Sequence, residues 1–287
     1  MSMRNSAATV GAAVRSVLAQ TLPDLELIVI DNGSSDQSSA IVEGFHDQRI
    51  RLIRESVTTT LAARLNQAVS LSKGEFIARM DSDDICFPER LSRQVARLRE
   101  DPRLDLIRCG VVVFTSGGEL VGELPIGLDH GDIVARPFVG FPFPHPTWCG
   151  RAGWFRNNPY NAELRYAEDQ DLLLRSFRHS RLGGVADVLL AYRQDQLALK
   201  KLLPGRATYI GLAWRSGVAT GEVLPALGGI ATHAARSVLD VATLAVGLNR
   251  QMQLSRLKLV SPAIAQEWQR LQDSLAEPFS HAAGSAG

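Results

Sequence analysis

Through the first two-thirds of the chain, short apolar runs alternate with stretches whose apolar residues recur at helical spacing. Residues 9–20 place Val10, Val14, Val17 and Leu18 on one helical face, with Asn5 or Ser6 available as N-cap. Residues 25–30 read as a strand, almost continuously apolar toward its end, as expected of a parallel strand covered on both faces. A turn over 31–36 leads into a helix reaching Phe45, with Ile41, Val42 and Phe45 inward. Residues 51–53 form a short strand, and Leu61, Leu65, Ala68 and Val69 mark another amphipathic helix. Residues 75–80 are the next strand, halted by Asp81, Ser82, Asp83 and Asp84. Pro88 then sits at the first position of a helix carrying Leu91, Val95 and Leu98. Residues 104–115 supply more strand, closed by a turn at Gly117 and Gly118. Strand, turn and helix in repetition predict a doubly wound α/β domain.

Between residues 125 and 158 the periodicity breaks down. Prolines and aromatics crowd together, among them Phe138, Phe141, Phe143, Trp148 and Trp154. This reads as loops and short strands laid over one edge of the sheet, with packing as the aromatics' default role and stacking on sugar rings as the alternative. Residues 168–179 are helical and 185–193 a strand; beyond Gln194 the pattern is mainly helical. The expected organisation is an α/β domain over 1–195, a helical extension over 196–279 and a loose polar tail over 280–287, with a soft boundary near Pro204 and Gly205.

Composition narrows the classes. In 287 residues, 31 Lys+Arg meet 30 Asp+Glu, for a net charge of +1. That balance argues against a nucleic-acid-binding surface. With 45% hydrophobic residues, most of the chain should fold. Cys86, Cys109 and Cys149 stand far apart, so neither a disulfide framework nor a Cys-based zinc site is expected, and a reducing, cytoplasmic setting fits. No apolar leader opens the chain, and no run is long and uncharged enough to suggest a membrane span.

The acids carry the candidate chemistry. One strand runs into Asp31, another into Asp81 and Asp83. In open α/β sheets, ligands bind outside the carboxyl ends of the strands. Two carboxylates at alternate positions can aim at one small volume, where a hard cation such as Mg²⁺ or Mn²⁺ relieves their repulsion. Asp-rich turns also occur for purely local reasons, and Asp83 or Asp84 could cap the following helix.

Taken in order, these segments resemble family 2 glycosyltransferases of the GT-A fold. The likeness rests on Ser16 to Thr21, Leu25 to Asp36, Phe76 to Arg90, His145-Pro146-Thr147, Ala167 to Leu172 with Arg175, and Leu190 to Arg193. It implies a Rossmann-like, mostly parallel central sheet with flanking helices, joined to the helical C-terminal extension. It also implies roles. Asp31 contacts the donor nucleobase, with Asp36 supporting that loop. Asp81 contacts ribose or a metal-bound water, and Asp83 ligates Mn²⁺ or Mg²⁺ on the donor diphosphate. Asp169 is the catalytic base with Glu168 beside it, and Arg193 lies near the diphosphate. His145 either touches acceptor, metal or phosphate, or is a satisfied loop histidine. Arg64 could reach a phosphate, but reads first as a solvated helix-face arginine. The implied enzyme is an inverting, metal-dependent hexosyltransferase, moving a sugar from a nucleotide-sugar, UDP-linked by expectation, to a glycan, lipid-linked or protein acceptor in cell-surface glycan or polysaccharide biosynthesis.

There are departures from the family pattern. The chain opens at Met1-Ser2-Met3-Arg4-Asn5, where the family's first buried strand is already finishing, so most of a central strand is expected to be missing and stability and activity to be low. Asn32, Leu173 and the Gln194-Asp195 pair also differ from the usual residues. Other readings are a catalytically impaired sugar-nucleotide-binding module, a sugar-nucleotide nucleotidyltransferase (which lacks here its Gly-rich basic loop) and a structural partner protein. The basic-edged helices beyond residue 196, carrying Lys200, Lys201, Arg206, Arg215, Arg236, Arg250, Arg256 and Lys258, make peripheral contact with an anionic membrane face a candidate.

Overall fold

The computed structural model describes residues 1–125, 127–195, 199–245, 254–255 and 257–276. Strands β1 (Ser2–Met3), β2 (Leu27–Asn32) and β3 (Ile50–Glu55) form a parallel three-stranded sheet in that order. Every residue of β2 is buried, as its apolar run demands. Helices α1 (Val10–Leu18) and α2 (Ser38–Glu43) contribute Val14, Val17 and Val42 to the cluster around Val29, and α3 (Leu61–Leu71) also packs on β2.

The second sheet contains β4 (Phe76–Ala78), β5 (Ile85–Cys86), β6 (Leu106–Phe114), β7 (Leu120–Glu123), β8 (Cys149–Arg151) and β9 (Leu182–Arg193). Its order is β4-β8-β6-β9-β5, with β7 on β6. β6 and β9 are parallel, whereas β4–β8, β6–β8, β5–β9 and β6–β7 are antiparallel. The α/β class holds, but among the described residues parallel pairing is confined to the first sheet and to β6–β9. All nine residues of β6 are buried, so this strand is the centre of the domain.

The segment expected to lie over a sheet edge does more. β8 is inserted between β4 and β6, and its neighbours Trp148 (0% exposed) and Phe143 (1%) are core residues. Their rings lie 5.7 Å apart, and the Trp148 indole donates to the Phe143 carbonyl at 3.0 Å. Helices α4 (Arg90–Glu100), α5 (His130–Ile133), α6 (Ala152–Asn157) and α7 (Glu168–Ser176) complete the domain. Cys86, Cys109 and Cys149 are free and buried.

The C-terminal helices α8 (Leu199–Thr220), α9 (Val223–Ala245) and α10 (Pro262–Ala276) pack onto this domain. The expected boundary at Pro204 and Gly205 is corrected, because both lie inside α8. Pro204 removes one hydrogen bond near the helix start, which tertiary packing outweighs. Gly229 of α9 sits against the aromatic segment so closely that a Cβ would lie 2.2 Å from the Phe138 carbonyl oxygen. Trp268 of α10 packs on Phe114 at 4.8 Å and donates to the Gly118 carbonyl at 2.8 Å. No described helix is long and apolar enough to cross a membrane. The expected tail over 280–287, with Arg250 and Arg256, lies outside the described residues.

The α1 boundary also differs from expectation. Thr9 occupies the N-cap position without a side-chain bond, and Ser6 serves through its backbone carbonyl, which accepts from the Thr9 and Val10 amides at 2.9 Å.

Candidate functional site

Asp31 is the penultimate residue of β2, inside the strand instead of opening a turn. Gly33, at φ +75°, turns the chain back in a conformation that suits glycine. The Ser34 amide then donates to Asp31 Oδ1 at 2.9 Å and the Ser39 hydroxyl to Oδ2. Asp31 is 5% exposed, so it is a buried, locally satisfied acid. Asp36 accepts from the Ser38 amide and from the Ala7 amide, both at 3.0 Å. The Ser38 hydroxyl, followed by the Ala7 amide, holds its carboxyl below the usual range. Asp36 thus fastens the loop after β1 to the start of α2. From that loop, the Ser6 hydroxyl lies 2.9 Å from that of Ser82. This bond ties the rim at Asp31 to the acidic loop after β4.

In that loop, one ligand atom each from Asp81, Asp83 and Asp84 lies within 4.8 Å of the others. Capping of the following helix by Asp83 or Asp84 was the local alternative for this turn. Asp84 is instead fully buried, and its Oδ1 accepts from the Arg193 amide at 3.0 Å. Glu89 occupies the N-cap position of α4. The other oxygen of Asp84 is buried without a hydrogen-bond partner. Burial, then Asp81 and Asp83, push the Asp84 carboxyl well up, and burial, then Asp81, raises Asp83. A carboxylate trio with an orphaned buried oxygen fits a hard divalent cation. Arg193 faces the same loop, donating from Nε to the Asp83 carbonyl at 2.9 Å, with its guanidinium 4.6 Å from the Phe114 ring centroid.

A second acidic group sits across from the first. Ala167, at φ +57°, leads into α7, whose first residues are Glu168 and Asp169. Burial, then Asp169, pushes Glu168 up to about 7. Burial also raises Asp169, opposed by its bonds to Gln170. His145 is 7% exposed, with Nε2 at 2.8 Å from the Tyr160 hydroxyl and Nδ1 at 3.8 Å from Glu168. Burial, then Arg79, pulls the imidazole well below its usual range, so it is neutral at pH 7. It is a buried histidine beside the second acidic group.

Arg79 interacts with both groups. It follows β4 directly, is 6% exposed and donates to Asp81 at 2.5 Å. Its Nε and Nη1 are buried without hydrogen-bond partners. Burial works against its charge, but Asp81, Tyr160, Asp84 and Glu168 outweigh it and keep the guanidinium's pKa raised. Sequence reasoning missed Arg79 and Asp84. The available signal was an arginine next to Met80 at the end of an apolar strand, leading straight into three acids. Arg64 is a correction: it is buried (8%), not solvated, donating to Asn32 at 2.8 Å and pairing with Glu55 at 3.3 Å. It braces the ends of β2 and β3.

Residues 1–140 match the family model described as Glycosyl transferase family 2. EpsE of Bacillus subtilis, a glycosyltransferase by name, is 32% identical over 208 residues, covering 70% of this chain and 74% of EpsE. The O-antigen biosynthesis glycosyltransferase WbnJ of Escherichia coli is 29% identical over 67% of this chain and 77% of its own length. Among solved structures, TarS 1-349 of S. aureus superposes with a TM-score of 0.63 at 16% identity, over 96% of this chain and 78% of that one. The chain spans 42% of a longer TarS chain. The mannosyltransferase PcManGT of Pyrobaculum calidifontis gives 0.55 at 19% identity, over 96% of this chain and 83% of that one. With this degree of likeness to EpsE, the chain belongs to glycosyl transferase family 2.

Proposed function

We propose that this protein transfers a sugar from a nucleotide-sugar donor, UDP-linked, to an acceptor hydroxyl with inversion, in cell-surface glycan or polysaccharide biosynthesis. One observation carries the reading: buried Arg79 interacts both with the clustered acids Asp81 and Asp84 and with Glu168 and Asp169. A transfer with inversion needs two such groups, one where the leaving diphosphate departs and one where the acceptor hydroxyl loses its proton.

In this reading Asp83 and Asp81, with Asp84 behind them, hold Mn²⁺ or Mg²⁺. That ion, when bound, supplies positive charge for the departing diphosphate. Arg193 adds charge beside the same loop. Asp31 and Asp36 shape the pocket for the nucleobase. Asp169 takes the acceptor proton, and Glu168, near neutrality in its proton affinity, sits beside it with His145 as a neutral neighbour. Support for the donor class comes from relatives of the fold: TarS was solved with UDP-GlcNAc and PcManGT with GDP-Man and Mn²⁺. Peripheral contact with an anionic membrane face belongs to the same reading. It is supported by Leu224 (81% exposed) and Val238 (71%) on α9 and by the nearby basic Arg236.

Calorimetry with UDP plus Mn²⁺, paired with an assay of UDP release, tests the proposal. Asp83→Asn should abolish metal-dependent donor binding. Asp169→Asn should retain donor binding and lose transfer. Normal transfer by Asp169→Asn would overturn the base assignment.

A further inference from the structure

His145 and Tyr160 meet because the backbone on either side of them is pinned. His145 opens a single 3₁₀ turn, His145–Thr147. The carbonyls of Pro146 and Thr147 accept from Arg90 at 2.7 Å and from Gln94 at 2.8 Å, which fixes the turn against α4. Tyr160 is clamped from α3: Asn66 accepts from its amide at 2.9 Å and donates to its carbonyl at 2.8 Å. Trp148 stands against both rings, edge-on to His145 at 4.6 Å and stacked with Tyr160 at 6.4 Å. Its indole N–H is committed to the Phe143 carbonyl and does not compete for the imidazole.

The proton positions follow from what surrounds the two rings. Burial raises the Tyr160 phenol above its ordinary pKa, so it keeps its proton. Among the described residues its one hydrogen-bond partner is Nε2 of His145, at 2.8 Å. A neutral imidazole carries a proton on one nitrogen and a lone pair on the other. With the proton on Nε2, the phenol O–H has no acceptor and the Nδ1 lone pair faces Glu168 Oε1 at 3.8 Å. With the proton on Nδ1, the phenol donates to Nε2 and an N–H faces the carboxylate. Only the second arrangement leaves no buried donor unmatched and no lone pair against an ionised Glu168. At 3.8 Å this N–H attracts Glu168 without yet bonding to it. The other charged groups acting on Glu168 are Asp169 from its own helix, and Arg79 and Asp81 from the chain after β4. The two aspartates oppose its ionisation, and Arg79 favours it.

We propose that Tyr160 and His145 are positioning residues for Glu168: the phenol fixes the imidazole in its Nδ1–H tautomer, and that N–H holds the ionised Glu168 side chain in one place beside Asp169. Without this hold, the neighbouring Asp169 charge turns the Glu168 carboxylate away. The tautomer rests on the geometry of the three side chains alone. Its effect on transfer rests on the transferase reading, in which Asp169 takes the acceptor proton.

The test combines nitrogen NMR of the histidine rings with an assay of UDP release, at pH 8, where Glu168, at about 7, is ionised. The His145 signals are assigned by their loss in His145→Asn. The wild type should show a protonated Nδ1 and a bare Nε2. Tyr160→Phe, which keeps the ring and its stacking, should move part of the proton population to Nε2. With saturating donor and metal, Tyr160→Phe and His145→Gln should lower kcat roughly tenfold or more at unchanged donor KM, the usual worth of a hydrogen bond to a charged group. His145→Asn should keep most of the rate, because its amide N–H falls near the place of Nδ1, whereas that of glutamine falls near Nε2. A bare Nδ1 in the wild type overturns the proposal without any variant having to fold. So does Tyr160→Phe with spectrum and kcat both unchanged, and so does an equal loss of rate in His145→Asn and His145→Gln. The expected spectra in a chain that releases no UDP support the tautomer and overturn the transferase reading instead.

Discussion

Glu168→Gln isolates what the second acidic group costs the fold. The Glu168 side chain is 12% exposed, and its proton affinity moves from an ordinary 4.5 to about 7. Between those values the unfolded chain has lost this proton and the folded chain still holds it. Stability therefore falls as pH rises from about 4.5 to about 7, and the loss is complete above. A shift of this size corresponds to about 3 kcal/mol at ~1.36 kcal/mol per unit. Glutamine keeps the shape and cannot ionise, so the variant should escape the loss. Urea denaturation of metal-free protein at pH 4 and pH 8 measures it. The difference between wild type and variant should widen by about 3 kcal/mol in the variant's favour at the higher pH. Parallel pH dependences for the two proteins would refute the argument, since burial would then not be charging anything for the ionised form.

Arg79→Met removes the cation that the acids surround. At neutral pH it should destabilise by roughly 3–5 kcal/mol, the usual result of leaving buried charge without its partner. The deficit should shrink as the carboxyls protonate on acidification, and a deficit independent of pH in the same denaturation series would count against the electrostatic account. Trp268→Ala should cost roughly 3–5 kcal/mol by emptying the seat against Phe114 and removing one of two donors to the Gly118 carbonyl, the other being Gln272. Unchanged thermal unfolding would mean that α10 is not part of the cooperative unit.

The parts of the fold that could be read in advance are those whose period survives burial. β2 and β6 announce themselves as apolar runs, and α1, α3 and α7 as helical faces. β8 could not be read so. It has three residues, Cys149 to Arg151, and owes its place to partners in β4 and β6 that are distant in sequence. Asp81 and Asp83 were legible because strand ends are where sheets bind ligands. Asp84 was not, since an aspartate just before a helix looks like a cap until its oxygen is found on the Arg193 amide. Arg64 and Arg79 failed for one reason: an arginine's local pattern says exposed, and only the packed structure supplies the carbonyls and carboxylates that hold it inside.

Gln170 follows Asp169, and its Oε1 accepts from the Phe141 amide at 2.8 Å while its Nε2 lies 3.3 Å from Asp169. One amide side chain thus grips the aromatic loop with one end and the carboxylate with the other. Anything that pries that loop outward also drags on the carboxylate, so reshaping the loop will require Gln170 to be redesigned along with it.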